Sequence, residues 1–249
     1  MIKVKNAIEI ERMRSAGKIL ATILKELSSA VKPGVTTYEL DALATDLCKK
    51  HRVKPAFLGF NGYPATLCAS TNEVVVHGIP NKKKLIQGDI VGLDMGVKHN
   101  GYYADSALTV PVGKINKDAE KLIELTKKSL YLAIKELKHG SHVGDIGATV
   151  SHLAQAHSLA VVRDLTGHGI GKKLQEEPSI PNYGTYGKGA PLEAGMTIAI
   201  EPMLTLGSPE IVIDRNDGWT IRTQDKSLSA HFEHTVLITK SGCEILTKL

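Results

Sequence analysis

The sequence predicts an α+β fold made of two pseudo-symmetric halves. Three observations predict it. A run of two helices followed by strands occurs twice along the chain. A twenty-residue segment, 32–51 (KPGVTTYELDALATDLCKKH), recurs as 138–157 (KHGSHVGDIGATVSHLAQAH) at a constant offset of 106. Within it Lys32, Gly34, Ala42, Leu47 and His51 meet Lys138, Gly140, Ala148, Leu153 and His157. Finally, each half carries an acid at the end of a short apolar strand, six residues after a glycine: Asp94 after Gly88, Glu201 after Gly195. With 249 residues, 42% of them hydrophobic, the chain can bury a substantial core. No low-complexity linker interrupts it, so residues 1–249 are expected to form one domain, with halves at about 1–113 and 114–249.

The first helix is marked by Asn6 with Glu9 three residues later, a capping box, and by Ile10, Met13, Gly17, Leu20, Leu24 and Leu27 at helical spacing. Lys32-Pro33-Gly34 ends it. Thr36 with Glu39 opens a second helix, whose inner face is Leu40, Leu43 and Leu47. A third is expected over about 117–138, stopping at Gly140, and a fourth after Asp145 with Ile146, Val150 and Leu153 inward. Strands are expected at 66–70, 89–97, 102–110, 196–204, 219–223 and 231–239, with a tight hairpin turn at Asn100-Gly101.

Composition narrows the function classes. Cys48, Cys68 and Cys243 are odd in number and form no C-x-x-C pair, which argues against a disulfide framework or zinc finger and for a reducing, cytoplasmic setting. The N-terminus, MIKVKNAIEIERMR, is too charged for a signal peptide, and no stretch approaches the length of a membrane span. Net charge is +5 (31 basic minus 26 acidic residues), with lysines grouped at 82–84 and 172–173. That is a solvated surface with a slight bias toward polyanions. With three Phe and one Trp, no base-stacking platform is evident, and neither DNA nor a membrane is an expected partner.

The carboxylates are the chemical core of the sequence. Beside Asp94 and Glu201, the returning strands carry Asp105 in YAD and Glu233 in HFE, again at matching places. If Asn100-Gly101 is a two-residue turn, position 96 opposes 105, and Asp105 lies on the same sheet face as Asp94, diagonal to it. An acid in an apolar strand is costly without a partner. Two acids held close raise each other's pKa unless a cation sits between them. His168, flanked by glycines in Thr166-Gly-His-Gly-Ile-Gly171, adds an imidazole where the backbone can pack closely. The same glycine-rich run could be read as a phosphate loop, but it lacks the lysine and serine of that motif. Four carboxylates and one imidazole suit two divalent ions of the Mn, Fe, Co or Zn type, which share carboxylates and activate a water between them.

These segments resemble the type I methionine aminopeptidases of bacteria, pita-bread metallopeptidases. The resemblance covers nearly the whole chain. Its most specific pieces are 72–80 (NEVVVHGIP), 88–96 (GDIVGLDMG), 103–105 (YAD), 167–171 (GHGIG), 200–203 (IEPM) and 229–235 (SAHFEHT). It implies a curved, mainly antiparallel central sheet with helices on its outer face. It also implies that Asp94, Asp105, His168, Glu201 and Glu233 are the ligands of two divalent ions (Co, Mn, Fe, Zn or Ni). In that assignment Asp105 and Glu233 bridge the ions, Asp94 completes one site, and His168 with Glu201 the other. His77 would contact the substrate backbone near the scissile bond. Tyr63, Cys68 and Trp219 match the methionine pocket, with Phe57, Phe60 and Leu174 replacing similar groups. An apolar, aromatic and sulfur-lined slot suits a flexible thioether. Asn72, Val74 and Ser229 match a monovalent-cation site.

One position departs from the family pattern. Gln175 stands where a histidine usually donates to the substrate carbonyl or tetrahedral intermediate. An amide can still donate, but it carries no charge and passes no proton. Catalysis is therefore expected to be reduced and not abolished. The resemblance implies removal of the initiator methionine from nascent chains with a small second residue, with Glu201 carrying the proton between water and leaving amine. A monomer is expected, with transient ribosome association suggested by the family and the mild basicity. Two other readings are an aminopeptidase of different specificity, such as one cleaving Xaa-Pro bonds, and a non-catalytic homologue of the fold that binds nucleic acid or protein. The absence of an added N-terminal domain, a large helical insertion or an N-terminal zinc-binding extension favours the first reading.

Overall fold

The computed structural model describes residues 2–248. Among these residues four α-helices, α1 (Ala7–Ala30), α2 (Thr37–Lys50), α3 (Lys117–Glu136) and α4 (Val143–Ala156), accompany fifteen strands. In chain order the strands are β1 (Lys54–Pro55), β2 (Cys68–Thr71), β3 (Val74–Val76), β4 (Ile90–His99), β5 (Tyr102–Pro111), β6 (Ala160–Val161), β7 (Thr166–Gly169), β8 (Glu176–Pro181), β9 (Thr197–Ile200), β10 (Met203–Thr205), β11 (Ile211–Ile213), β12 (Ile221–Thr223), β13 (Ser229–His231), β14 (Glu233–Ile238) and β15 (Cys243–Ile245).

The duplication extends to single hydrogen bonds. α2 and α4 span the same twenty-residue repeat at the offset of 106. Glu39 accepts from the Thr36 N–H at 2.8 Å, and Asp145, its counterpart, accepts from the His142 N–H at 2.8 Å. Thus α4 begins two residues before Asp145, which closes the first turn from within and does not precede it. The Asn6 and Thr36 capping boxes form as the sequence expects. Gly34 and Gly140 share a left-handed φ of 93° and 88°, the conformation that turns the chain between the paired helices of each half.

The central antiparallel sheet runs β1-β4-β5-β14-β9-β7-β8, and β5 joins β14 across the pseudo-two-fold. Each half covers its own part of this sheet. Leu20, Ile23, Leu27 and Leu40 of α1 and α2 bury Leu93, Met95 and Val97 of β4. Leu122, Leu130, Ile146 and Val150 of α3 and α4 bury Ile198, Val236 and Ile238 of β9 and β14. Alternation then sends Asp94, Asp105 and Glu233 to the other face.

Two expected strands differ from the structure. The stretch 196–204 breaks at Glu201-Pro202 into β9 and β10, because proline has no N–H to continue the ladder. The stretch 231–239 starts earlier, at Ser229, and breaks at Phe232 into β13 and β14. The two breaks face each other, since the Phe232 N–H reaches the Pro202 carbonyl at 3.3 Å. Beyond them β10 lies between β13 and β6 in a separate three-stranded sheet. Glu201 therefore sits at a bend, between the two sheets.

Candidate metal centre and substrate slot

The β4–β5 hairpin has the expected register, with His99 opposite Tyr102 and Gly96 opposite Asp105. Across the seam, Thr235 Oγ1 accepts from the Asp105 N–H at 2.9 Å and donates to the Asp105 carbonyl at 2.8 Å. Ser106 Oγ donates to the Glu233 carbonyl at 2.8 Å. These bonds fix Asp105 and Glu233 side by side. His168 sits where the β7–β8 register shifts, a bulge that re-aims its ring. The glycines beside it are required by close backbone approach. A Cβ on Gly167 would lie 2.3 Å from the Ala199 carbonyl oxygen, and one on Gly169 would lie 2.1 Å from that of Glu177.

Donor atoms of Asp105, His168 and Glu233 all lie within 4.8 Å of one another. His168 Nε2 is 4.0 Å from Asp105 Oδ2 and 3.8 Å from Glu201 Oε1. His168 Nδ1 donates to the Gly169 carbonyl at 2.9 Å, because a carbonyl can only accept. That fixes the tautomer and leaves the Nε2 lone pair free toward the carboxylates. Asp94 Oδ1, Asp105 Oδ1 and Glu233 Oε1 are buried with no hydrogen-bond partner among the described residues. Hard oxygen donors, one imidazole lone pair and orphaned buried oxygens fit divalent ions.

The electrostatics agree. Burial pushes the carboxyls of Asp94, Glu201 and Glu233 well above the ordinary range, and repulsion from Asp105 pushes each further. Burial also raises Asp105 to about 7, outweighing the hydrogen bond from Ser106. Burial lowers His168 and His77 and takes His231 down to about 3, so these imidazoles stay neutral.

The acids open into a cavity of about 230 Å³ lined by Phe57, Phe60, Tyr63, Cys68, His77, Leu174, Gln175 and Trp219 together with Asp94, Asp105, His168, Glu201 and Glu233. Cys68 lies opposite Asp94 in the β2–β4 pairing. Tyr63 OH donates to the Leu67 and Gly78 carbonyls, both at 3.1 Å, and its ring meets Trp219 edge-on at 5.2 Å. His77 holds a left-handed φ of 57°, uncommon for a residue with a Cβ, and its ring stands 6.1 Å from Trp219. Gln175 and His168 also border an open groove of about 580 Å³ that runs past Thr166, Lys173 and Ser179. Asn72, Val74 and Ser229 lie away from this cavity. The Asn72 carbonyl accepts from the Ser229 N–H at 2.9 Å, and the Asn72 side chain binds Asp89 and Ile90.

Three residues at the site escape a sequence reading. Asn61 lines the cavity from a left-handed φ of 49°, and Asn61-Gly62 is a turn signal that could have drawn notice. Asn182 Nδ2 donates to the Glu201 carbonyl at 3.0 Å, with no local signal. His231 faces Glu201 Oε2 at 3.8 Å from inside the 229–235 motif.

Residues 11–240 match the model of metallopeptidase family M24. The chain belongs to metallopeptidase family M24. Its M24 relatives include the methionine aminopeptidase of Clostridium acetobutylicum, 46% identical over 99% of both chains. Methionine aminopeptidase 1 of Bacillus subtilis is 44% identical over the whole of both. The crystal structure of methionine aminopeptidase from Thermotoga maritima covers both chains completely at a TM-score of 0.98 and 45% identity. The fold is thus the pita-bread fold, as the resemblance implied. The prolidase of Pyrococcus furiosus, at 23% identity and a TM-score of 0.79, shares this M24 fold over 65% of its own length.

Proposed function

We propose that this M24 peptidase removes N-terminal methionine from polypeptides, with Asp94, Asp105, His168, Glu201 and Glu233 holding two divalent ions. The observation that carries this reading is the set of partnerless buried carboxyl oxygens at the floor of a slot of thioether size. Asp105 and Glu233, held near each other by bonds across the seam to Thr235 and Ser106, would hold the ions together with Asp94, His168 and Glu201. When bound, such ions supply Lewis acidity toward water and the scissile carbonyl.

The chain's own residues supply the rest. Phe57, Phe60, Tyr63, Cys68, Leu174 and Trp219 enclose the methionine side chain and exclude water from it. The free α-amine would bind at the metal site near Asp94, which lies opposite Cys68, and this sets the exopeptidase register. Glu201, in its ionised form, accepts a proton from water and returns it to the leaving amine. His77 and Gln175 border the slot from different segments and donate to the carbonyl oxygen as it gains charge. The peptide beyond the scissile bond leaves through the groove past Ser179, and a small second residue is preferred, as the family resemblance implies.

The chain acts as one domain of two halves, about 1–113 and 114–249, since each half contributes two carboxylates to the one site. A monovalent cation is assigned to Asn72, Val74 and Ser229, where two of the three are already joined through the backbone. Among the described residues no helix is long and apolar enough to cross a membrane. The cytoplasm, where new chains emerge, is the compartment that suits the activity. Monomeric action with transient ribosome contact completes the reading. Hydrolysis of Met-Ala-Ser across manganese, iron, cobalt, zinc and nickel tests it, alongside Ala-Pro and leucine-first peptides. Methionine release with a defined metal optimum is expected. Preferred cleavage of Xaa-Pro, or no hydrolysis with any ion, would overturn it.

A further inference from the structure

His231 is a buried imidazole that the reaction as described leaves without a task. It ends β13, with its side chain 4% exposed. Thr109 Oγ1 fixes its backbone on both sides, accepting from the N–H at 3.0 Å and donating to the carbonyl at 2.9 Å. In the β10–β13 pairing it lies opposite Met203, two residues past Glu201. Its Nε2 has no hydrogen-bond partner among the described residues. The carboxylate it faces is Glu201, whose Oε2 is 3.8 Å away. The other oxygen of that carboxylate, Oε1, is 3.8 Å from His168 Nε2. Glu201 thus stands between two imidazoles, one toward each oxygen, with its carbonyl held by Asn182.

We propose that His231 is a positioning residue for Glu201, carrying its proton on Nε2 and donating it as a hydrogen bond to Oε2. The present separation exceeds a hydrogen bond, and a side-chain movement of less than about 1 Å closes it; such bonds are commonly long before the reacting groups are in place. With Oε2 held, Oε1 stays directed at the His168 side of the site, and the carboxylate does not rotate between its two duties. His231 does not border the cavity, so it acts through Glu201 and not on the substrate. The inference rests on the reading of Glu201 as ligand and proton carrier.

His231→Ala and His231→Gln test it, because a glutamine amide can donate to Oε2 and fills most of the volume. Manganese affinity is measured by calorimetry without substrate, and kcat and KM with Met-Ala-Ser. In His231→Ala, affinity and kcat are expected to fall about tenfold, the usual effect of removing a group that orients a metal ligand, with KM within about twofold. His231→Gln is expected to stay within about twofold of the parent on each. Parent-like manganese affinity in His231→Ala, or a glutamine variant as impaired as alanine, would overturn the assignment. A parent protein that fails to hydrolyse Met-Ala-Ser would defeat the proposed activity instead, and calorimetry would still decide the role of His231.

Discussion

Manganese binding to the metal-free protein is expected to release protons. Asp105, raised to about 7 by burial, is about half protonated at pH 7 and about nine-tenths protonated at pH 6. Asp94, Glu201 and Glu233 are pushed up by the same burial and by one another, so each adds up to one more proton. His168 adds none. Its pKa is lowered, its Nε2 is already unprotonated, and its single proton stays on Nδ1, donated to the Gly169 carbonyl. Release at pH 7 therefore lies between roughly 0.5 and 3.5 protons. The sign is fixed by competition. The ions need ionised carboxylates, so affinity tightens as pH rises, by about tenfold between pH 6 and 8 from Asp105 alone.

Titration calorimetry in buffers of different ionisation enthalpy measures this directly. The slope of apparent binding enthalpy against buffer ionisation enthalpy is the number of protons exchanged. Asp105→Asn is expected to lower the slope at pH 6 as well as weaken binding. A slope of zero at pH 6, with affinity flat to pH 8, would show that these carboxyls are ionised before the metal arrives. The argument from burial and mutual repulsion would then be wrong.

Three substitutions probe the slot and its chemistry. Glu201→Gln keeps the shape but removes the proposed proton carrier, and kcat for Met-Ala-Ser should fall about 10²–10⁴-fold with the melting temperature little changed; parent-like turnover would take Glu201 out of the mechanism. Gln175→His restores a donor that can carry charge, and kcat should rise toward the 10²–10³-fold that a well-placed oxyanion donor is worth; an unchanged rate would show that Gln175 has no part in this step. Gly96→Ala sets a Cβ 2.9 Å from both Ala56 Cβ and Phe57 Cε1, so the Phe57 ring, which lines the slot, is displaced. KM should rise about tenfold, the effect of mild overpacking, while calorimetric manganese affinity holds; an unchanged KM would place the methionine side chain elsewhere.

Much of the architecture could be read from local signals. Capping boxes at Asn6 and Thr36 fix two helix starts to the residue, because both bonds of a box lie within four residues. The Asn100-Gly101 turn fixes the register of the longest hairpin, and with it the face on which Asp105 emerges. The start of α4 was less legible. Asp145 looks like a cap but closes the box of His142, as comparison with Glu39 in the repeat would have indicated. Short strands such as β6, β11 and β15 were not legible at all. Two or three residues carry no periodicity, and they become strands only because a partner from elsewhere in the chain lies alongside.

The site was legible for a different reason. A carboxyl in an apolar strand is conspicuous because nothing local compensates its burial, and here four such carboxyls occur in two matching pairs. What sequence could not supply is the bend at Glu201, where two strands break opposite each other and bring His231 against the back of the carboxylate. That bend arises from a proline in one strand and a phenylalanine in another, thirty residues apart. It also explains why the two halves need each other. Asp94 and Asp105 belong to one hairpin, Glu201 and Glu233 to the other half, and the β5–β14 seam is the only pairing that brings Asp105 beside Glu233 among the described residues. Either half alone would bury two repelling acids, and the first half would lack the His168 imidazole. Joined, they bring Asp105, Glu201 and Glu233 around the His168 lone pair, with Asp94 lining the same cavity, and divalent cations would relieve the electrostatic cost of that crowding. Metal affinity and the stability of the seam should therefore be linked. Thr235→Val, which removes the hydroxyl bonded to both the Asp105 N–H and its carbonyl, should weaken manganese binding as well as lower the melting temperature, although Thr235 touches no ion. A Thr235→Val protein that melts earlier yet binds manganese as tightly as the parent would show that the seam holds the fold together without tuning the site.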